Sequence, residues 1–333
     1  MATITSTAPS RLTEGTENCK SKPLVSVIIP AYNVARFIKD TLDSVLAQTF
    51  DDYEIIVIND GSPDTVELEE QIKSYAPLIT YLIQSNGGAG SARNAGIRAA
   101  QGEFLAFLDG DDCWLPHFLN SQLELLNSDG GYDLAYADAI NLSDFGVSKS
   151  TNMDMNPSEG EVTVESLISG RCNVITSSVV ARRSTVLATG CFDERFRNSQ
   201  DFDLWLRLAK QGARLTYQKR VLVQRRIYDG SLASNPVNSL EGEIKVLEKA
   251  RDYADLTSRE RSVLLKTLEL RRAMVDVWKG KQKLSSGEFD AALRNFYLAN
   301  NYFRSWKLRL VTLWLRLAPR LLQRIYLSRS ATF

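Results

Sequence analysis

Short apolar runs alternate with stretches of helical spacing through the first third of the chain. VSVIIPAY (25–32), EIIVI (54–58), LITYLI (78–83) and FLAFL (104–108) have the length and residue types of buried strands. Between them, 34–48 places Val34, Phe37, Ile38, Leu42, Val45 and Leu46 on one helical face, and 64–75 and 89–100 also read as helices. Strands separated by helices of this length predict βαβ units and a mainly parallel sheet, an α/β fold. Beyond about residue 130 the pattern loosens. YDLAYAD (132–138) reads as a further strand and 143–160 as a polar, mobile loop, and helical spacing returns at 162–169, 182–189 and 199–212. From 239 to 327 the pattern is helical, with breaks near Gly280–Gly287 and near Asn300.

Composition changes this picture in one place. The chain balances 40 acidic against 40 basic residues, yet no acid follows Asp290 while eight Arg or Lys do. An acidic body with a basic tail points to a partner for the tail. Within 304–327, Trp306, Leu310, Leu313, Leu317 and Leu321 recur at helical spacing, Arg309, Arg316, Arg320 and Arg324 are assigned to the other side, and Pro319 is expected to kink the helix. Trp and Leu opposite Arg suit a helix lying on a membrane surface. The same stripe also suits packing on the rest of the protein. Nucleic acid is not expected as a partner, because the body is acidic and no binding motif appears. Cys19, Cys113, Cys172 and Cys191 are dispersed, which predicts neither a zinc site nor a disulfide framework. Residues 1–22 read as a disordered polar lead-in, without the basic and apolar regions of a signal peptide. No apolar stretch is long enough to span a bilayer, so the expected location is cytoplasmic, peripheral to the membrane if the tail engages it.

The candidate chemistry falls at successive strand ends. Pro30-Ala31-Tyr32-Asn33 ends the first run, where Tyr32 offers a ring or hydroxyl to a ligand; a plain strand-terminating turn reads equally well. Asn59-Asp60-Gly61-Ser62-Pro63-Asp64 ends the second. Asp60 could accept a base-edge N–H and Gly61 permits close approach, while Ser62-Pro63 also fits a helix N-cap and first position. Before the third helix, Asn86-Gly87-Gly88-Ala89-Gly90 offers backbone N–H groups to an anion, with Arg93 one turn in. The fourth run stops on Asp109-Gly110-Asp111-Asp112. Carboxylates so crowded repel one another unless a positive charge lies between them. On an extended strand Asp109 and Asp111 share a side and Asp112 turns away, a pairing suited to Mg²⁺ or Mn²⁺. An acidic turn is the alternative.

Taken together, VSVIIPAYN, VINDGSPD, NGGAGSARNAG, FLDGDD, ITSSVVARRSTVLATGCFDERF and SQDFDLWLRLA closely resemble the successive motifs of the family 2 glycosyltransferases of GT-A fold, over roughly residues 24–215. This chain departs from the family at Asn59, usually an acid there, and at Cys191, usually a glycine. The resemblance implies a GT-A domain over 23–235, with a donor half to about 130 and an acceptor half beyond, followed by a helical region over 236–333. It implies that Pro30, Ala31, Tyr32 and Asp60 hold the nucleobase, uracil being favoured, and that Asn33, Gly61, Asn86, Gly87 and Gly110 also bind the donor. Arg93 would neighbour the pyrophosphate, Asp109 the ribose, and Asp111, with Asp109, the metal. Asp201 would be the general base of an inverting transfer to a saccharide or lipid-linked acceptor; an acid in the first helical turn also suits simple capping. His117, the only histidine, reads as a helix-surface residue. The alternatives are an inactive nucleotide-sugar-binding scaffold and a sugar-phosphate nucleotidyltransferase. Against the latter, PAYN occupies the slot where a Gly-rich basic signature belongs.

Overall fold

The computed structural model describes residues 22–143, 146–228 and 235–330; the lead-in over 1–21 lies outside them. The parallel part of the sheet is built as its pattern predicts. Strands β1 (Val25–Ala31), β2 (Tyr53–Asp60), β3 (Ile79–Gln84) and β4 (Phe104–Phe107) pair in parallel in the order β3-β2-β1-β4. Crossovers are made by α1 (Ile38–Leu46), α2 (Thr65–Ile72) and α3 (Ala89–Ala99). Alternate strand residues feed two cores: Ile28, Ile56, Ile58 and Phe107 on one face, Val27, Ile29, Val57 and Ala106 on the other. Burying each such side chain contributes about 1.5–3 kcal/mol. In α1, Ile38, Thr41, Leu42 and Val45 are buried at the expected spacing.

Beyond β4 the sheet is mixed, not parallel. After the short β5 (Cys113–Trp114) and α4 (Phe118–Leu126) come β6 (Leu134–Ser143), β7 (Gly146–Thr151), α5 (Asn152–Met155), α6 (Val164–Ser169), β8 (Val180–Arg182), α7 (Arg183–Ala188), α8 (Gln200–Lys210) and β9 (Leu215–Arg226). β8 joins β4 to β6 by antiparallel pairing on both sides, and β9 runs parallel to β6. The 143–160 segment, expected to be a loop, holds β7 and a short helix closed by a Thr151–Asp154 capping box.

The helical region comprises α9 (Pro236–Arg251), α10 (Ser258–Ser285), α11 (Phe289–Phe303), α12 (Trp306–Leu317) and α13 (Pro319–Ser330). Val246, Leu247 and Ala250 of α9 and Leu264 and Leu268 of α10 share one core with Trp205 and Phe107. The break expected near Gly280–Gly287 falls at its far end, where α10 stops at Ser285 and Gly287 turns at φ 80°, while Gly280 stays inside α10 with the ring of Phe296 packed where a side chain would stand. A further, unforeseen break falls between Arg251 and Ser258. Pro319 does more than kink the tail, since α12 stops before it and α13 starts on it. The tail packs through Leu308, Val311, Leu315, Leu322 and Tyr326 on Leu284, Ala292 and Phe296. The stripe read from the sequence is the other face. Trp306, Leu313 and Leu317 are 66%, 49% and 75% exposed, and Arg309 and Arg316 flank that stripe.

Candidate active site

The parallel strands fix which motifs meet. Ala31 pairs with Asn59, and the Leu108 N–H donates to the Ile28 carbonyl at 3.1 Å. The three strand ends therefore lie level, and the chain beyond each borders one cleft of about 790 Å³, the usual ligand position in an open α/β sheet. Pro30, Tyr32, Asn33, Asp60, Asn86, Arg93, Asp109, Gly110, Asp111 and Asp201 line it. Three expected residues do not. Ala31 is fully buried in the core. Gly61 forms the turn at φ 62°, where an added Cβ would lie 2.7 Å from the Asn86 nitrogen. Gly87 lies behind the cleft and donates its N–H to Asp60.

That bond revises the reading of the glycine loop. Asp60 is 2% exposed, and its carboxylate accepts the Gly87 and Gly88 N–H groups, both at 2.8 Å, and the Gln84 amide at 2.7 Å. These two N–H groups are engaged by a resident anion, so Asp60 shapes the loop. Ser62 is not the helix cap either: α2 begins after Asp64, and the Ser62 hydroxyl hydrogen-bonds the Asp64 carboxylate. Ser62 and Asp64 instead accept the Asn33 and Ala35 N–H groups at 2.6 and 2.8 Å, bracing the PAYN turn from below. Asn59 is fully satisfied as an amide, donating to Thr65 and Tyr81 at 2.9 Å each and accepting from the Ser62 N–H at 2.8 Å. An acid there could not make both donations.

The strand reading of the acidic run is also revised. β4 ends at Phe107, and Asp109–Asp112 is a turn closed by the Asp112 N–H on the Asp109 carbonyl at 3.0 Å. Asp109 and Asp111 both face the cleft. Asp109 pairs with the buried Arg93, whose Nε and Nη1 have no hydrogen-bond partner among the described residues. Asp111 accepts the Tyr228 hydroxyl at 3.0 Å; burial, then the Asp109 charge, holds its carboxyl above the usual range. Asp112 lies beneath, accepting from Ser177 at 2.6 Å and the Arg226 N–H at 2.8 Å. Burial first, and its two neighbouring carboxylates next, raise its pKa too. A hard cation on Asp109 and Asp111 would relieve this repulsion, and the all-oxygen donors suit Mg²⁺ or Mn²⁺. Among the described residues no three His, Cys, Asp or Glu side chains gather for a metal, so phosphate and water oxygens would complete the shell.

Across the cleft, Asp201 sits in the first turn of α8. Its carboxylate accepts the Thr176 hydroxyl at 2.7 Å and the Phe202 N–H at 2.8 Å. Asp203 points elsewhere: fully buried, it binds Arg207 at 2.8 Å and Lys249 of α9 at 2.6 Å. His117 caps α4 at the surface, 3.2 Å from the Thr49 hydroxyl.

A relative of this arrangement is an uncharacterized glycosyltransferase of Rickettsia prowazekii (strain Madrid E), 31% identical over 86% of this chain and 84% of its own. The chain belongs to the family 2 glycosyltransferases. The family model, glycosyl transferase family 2, matches residues 26–172. Two solved structures share the GT-A fold of this glycosyltransferase at low identity. S. aureus TarS 1–349, crystallised with UDP-GlcNAc, superposes with a TM-score of 0.59 at 17% identity over 84% of this chain and 91% of its own. The Pyrobaculum calidifontis mannosyltransferase PcManGT, with GDP-Man and Mn²⁺, gives 0.61 at 15% over 92% and 87%. In this glycosyltransferase Cys191 stands at φ 59°, the backbone region that a glycine adopts freely. Sequence reasoning missed Thr176, Ser177, Arg197 and Tyr228 on the cleft wall. Arg197 could have been found as the one base between DERF and SQDFD; it donates to the Asn86 side-chain amide oxygen at 3.2 Å.

Proposed function

We propose that this enzyme is an inverting, metal-dependent transferase that moves a sugar from a nucleoside-diphosphate donor, UDP being favoured, to a hydroxyl of a saccharide or lipid-linked acceptor. The observation that carries the reading is the placement of Asp111 and Asp201 on two walls of one cleft. The strand-end wall, with Tyr32, Asn33 and Asp109, takes the nucleoside, and Arg93, through its unpartnered Nε and Nη1, turns donors toward the diphosphate. A divalent cation on Asp109 and Asp111, when bound, supplies charge neutralisation for the leaving diphosphate. Asp201, oriented by Thr176, takes the proton of the acceptor hydroxyl. The acceptor oxygen then bonds to the anomeric carbon from the side opposite the donor phosphate. The bond to the phosphate oxygen breaks, and its electron pair leaves with the nucleoside diphosphate. One such displacement inverts the anomeric configuration.

Two of the solved neighbours are complexes with UDP-GlcNAc and with GDP-Man and Mn²⁺, which supports a nucleotide-sugar donor and a cation. Calorimetric titration with UDP, GDP and dTDP, with Mn²⁺ or with EDTA, tests the donor side. The expected result is UDP binding that EDTA weakens by at least about tenfold; equal affinity with and without cation contradicts it. The tail supports work at a membrane surface, because an apolar stripe with flanking arginines faces outward. No helix among the described residues is long and apolar enough to cross a membrane.

A further inference from the structure

The helical region does not merely follow the transferase domain; it walls the cleft beside Asp201. Ser199, at φ 59° just before α8, donates its hydroxyl to the Ser239 carbonyl of α9 at 3.4 Å. A Cβ on Gly242 would lie 2.6 Å from the Ser199 hydroxyl and 3.0 Å from the Asn198 Cβ, so α9 meets this segment backbone-first. Ser239 and Glu243, four residues apart, share a face of α9, and both line the cleft together with Arg271 of α10. Glu243 accepts from Arg271 Nε at 2.7 Å. Burial raises its carboxyl, Arg271 opposes this, and the Asp201 charge adds to the rise.

Three more residues that line the cleft each carry a polar atom with no hydrogen-bond partner among the described residues: Asn152 Nδ2, Gln200 Oε1 and Trp205 Nε1. All three residues are more than nine-tenths buried, at 5%, 6% and 1% exposure. A buried polar group left unpaired costs about 1–3 kcal/mol, which a bound ligand regains. Two of the three atoms donate and one accepts. Hydroxyls, which do both, match that mixture.

We propose that Ser239, Glu243 and Arg271, with Asn152 and Gln200, form the acceptor subsite and that it takes a neutral sugar ring. The Glu243–Arg271 pair sums to no charge, and Asp201 beside it is negative. A uronate or phosphate placed between Glu243 and Asp201 meets two carboxylates, with Arg271 already paired to Glu243 and Arg197 turned toward Asn86. Hydroxyls of a neutral ring instead donate to Glu243 and Gln200 and accept from Asn152. This inference rests on the reading of the Asp201 side as the acceptor side, and it assigns part of the specificity to helices outside the matched family domain.

Saturation-transfer NMR on the full chain, with UDP and Mn²⁺ present, tests it with p-nitrophenyl β-glucoside, β-N-acetylglucosaminide and β-glucuronide as probes. The expected result is saturation of the neutral glycosides and not of the glucuronide. Glu243→Gln should weaken the neutral signal by about tenfold while UDP affinity stays within about twofold. Ser239→Leu, which leaves the ion pair intact, should do the same and covers the case in which Glu243→Gln misfolds. The inference is overturned if the variants bind the glycosides as wild type does, if the glucuronide binds equally, or if a wild type that binds UDP binds none of the three. Failure of UDP binding in wild type is a separate result and counts against the donor assignment.

Discussion

Three acids within four residues make Asp109–Asp112 costly to fold. Asp112 carries the clearest stability consequence, since it is 3% exposed and its partners are only a hydroxyl and one backbone N–H. Its folded pKa is raised above 3.8, by burial first. A carboxyl raised in the folded state costs stability at pH above the raised value, and the cost vanishes as pH falls below its unfolded value. Asp112→Asn, which can accept from Arg226 and donate to Ser177, should therefore raise the melting temperature at pH 8 in EDTA. The gain should shrink toward pH 3.8; a pH-independent loss contradicts the account. Asn59 and Cys191, where the chain departs from its family, were visible in the sequence. What they do there, donating twice or holding φ 59°, was not, because donor geometry and backbone angle have no signature in residue order.

β1, β2 and β4 were legible because they are largely buried on both faces and read as unbroken apolar runs, and the edge strand β3 because its apolar run survives partial exposure. β9 was missed, though Leu215, Tyr217, Val221 and Val223 hint at period two. Its register against β6 shifts at two places, between Ala137 and Ala139, and bulges of this kind disrupt the alternation that sequence reading relies on. β9 was also the route by which Arg226 and Tyr228 reach the acidic turn, so part of the site was lost with it. α8 was legible from its apolar face, but the use of Asp203 needed α9. Asp203 fastens α8 to α9 through Lys249, with Arg207 on its other oxygen. Removing one partner of a buried pair costs about 3–5 kcal/mol, and Asp203→Ala should show that loss in urea unfolding. A loss no larger than that of an exposed control such as Asp290→Ala argues against the fastening role.

At the scale of the whole molecule, the parallel strand ends, the mixed part of the sheet and α9–α10 close around one cleft, while α11–α13 turn an apolar and basic surface outward. The tail packs on α10 and α11 through Leu308, Val311 and Leu315, and the stripe read from the sequence is the face left exposed. Deleting 304–333 should abolish co-sedimentation with anionic phosphatidylserine vesicles and leave UDP affinity unchanged; undiminished pelleting contradicts the membrane assignment. The central claim is that one carboxylate, Asp201, takes the acceptor proton in an enzyme whose donor site lies on another wall. Asp201→Asn keeps the shape and the Thr176 contact, so calorimetry with UDP and Mn²⁺ alongside a turnover assay separates the two functions. The account predicts wild-type UDP affinity with transfer reduced by at least about a thousandfold, roughly 4 kcal/mol of barrier. Transfer within about tenfold of wild type, with UDP binding intact, would contradict it.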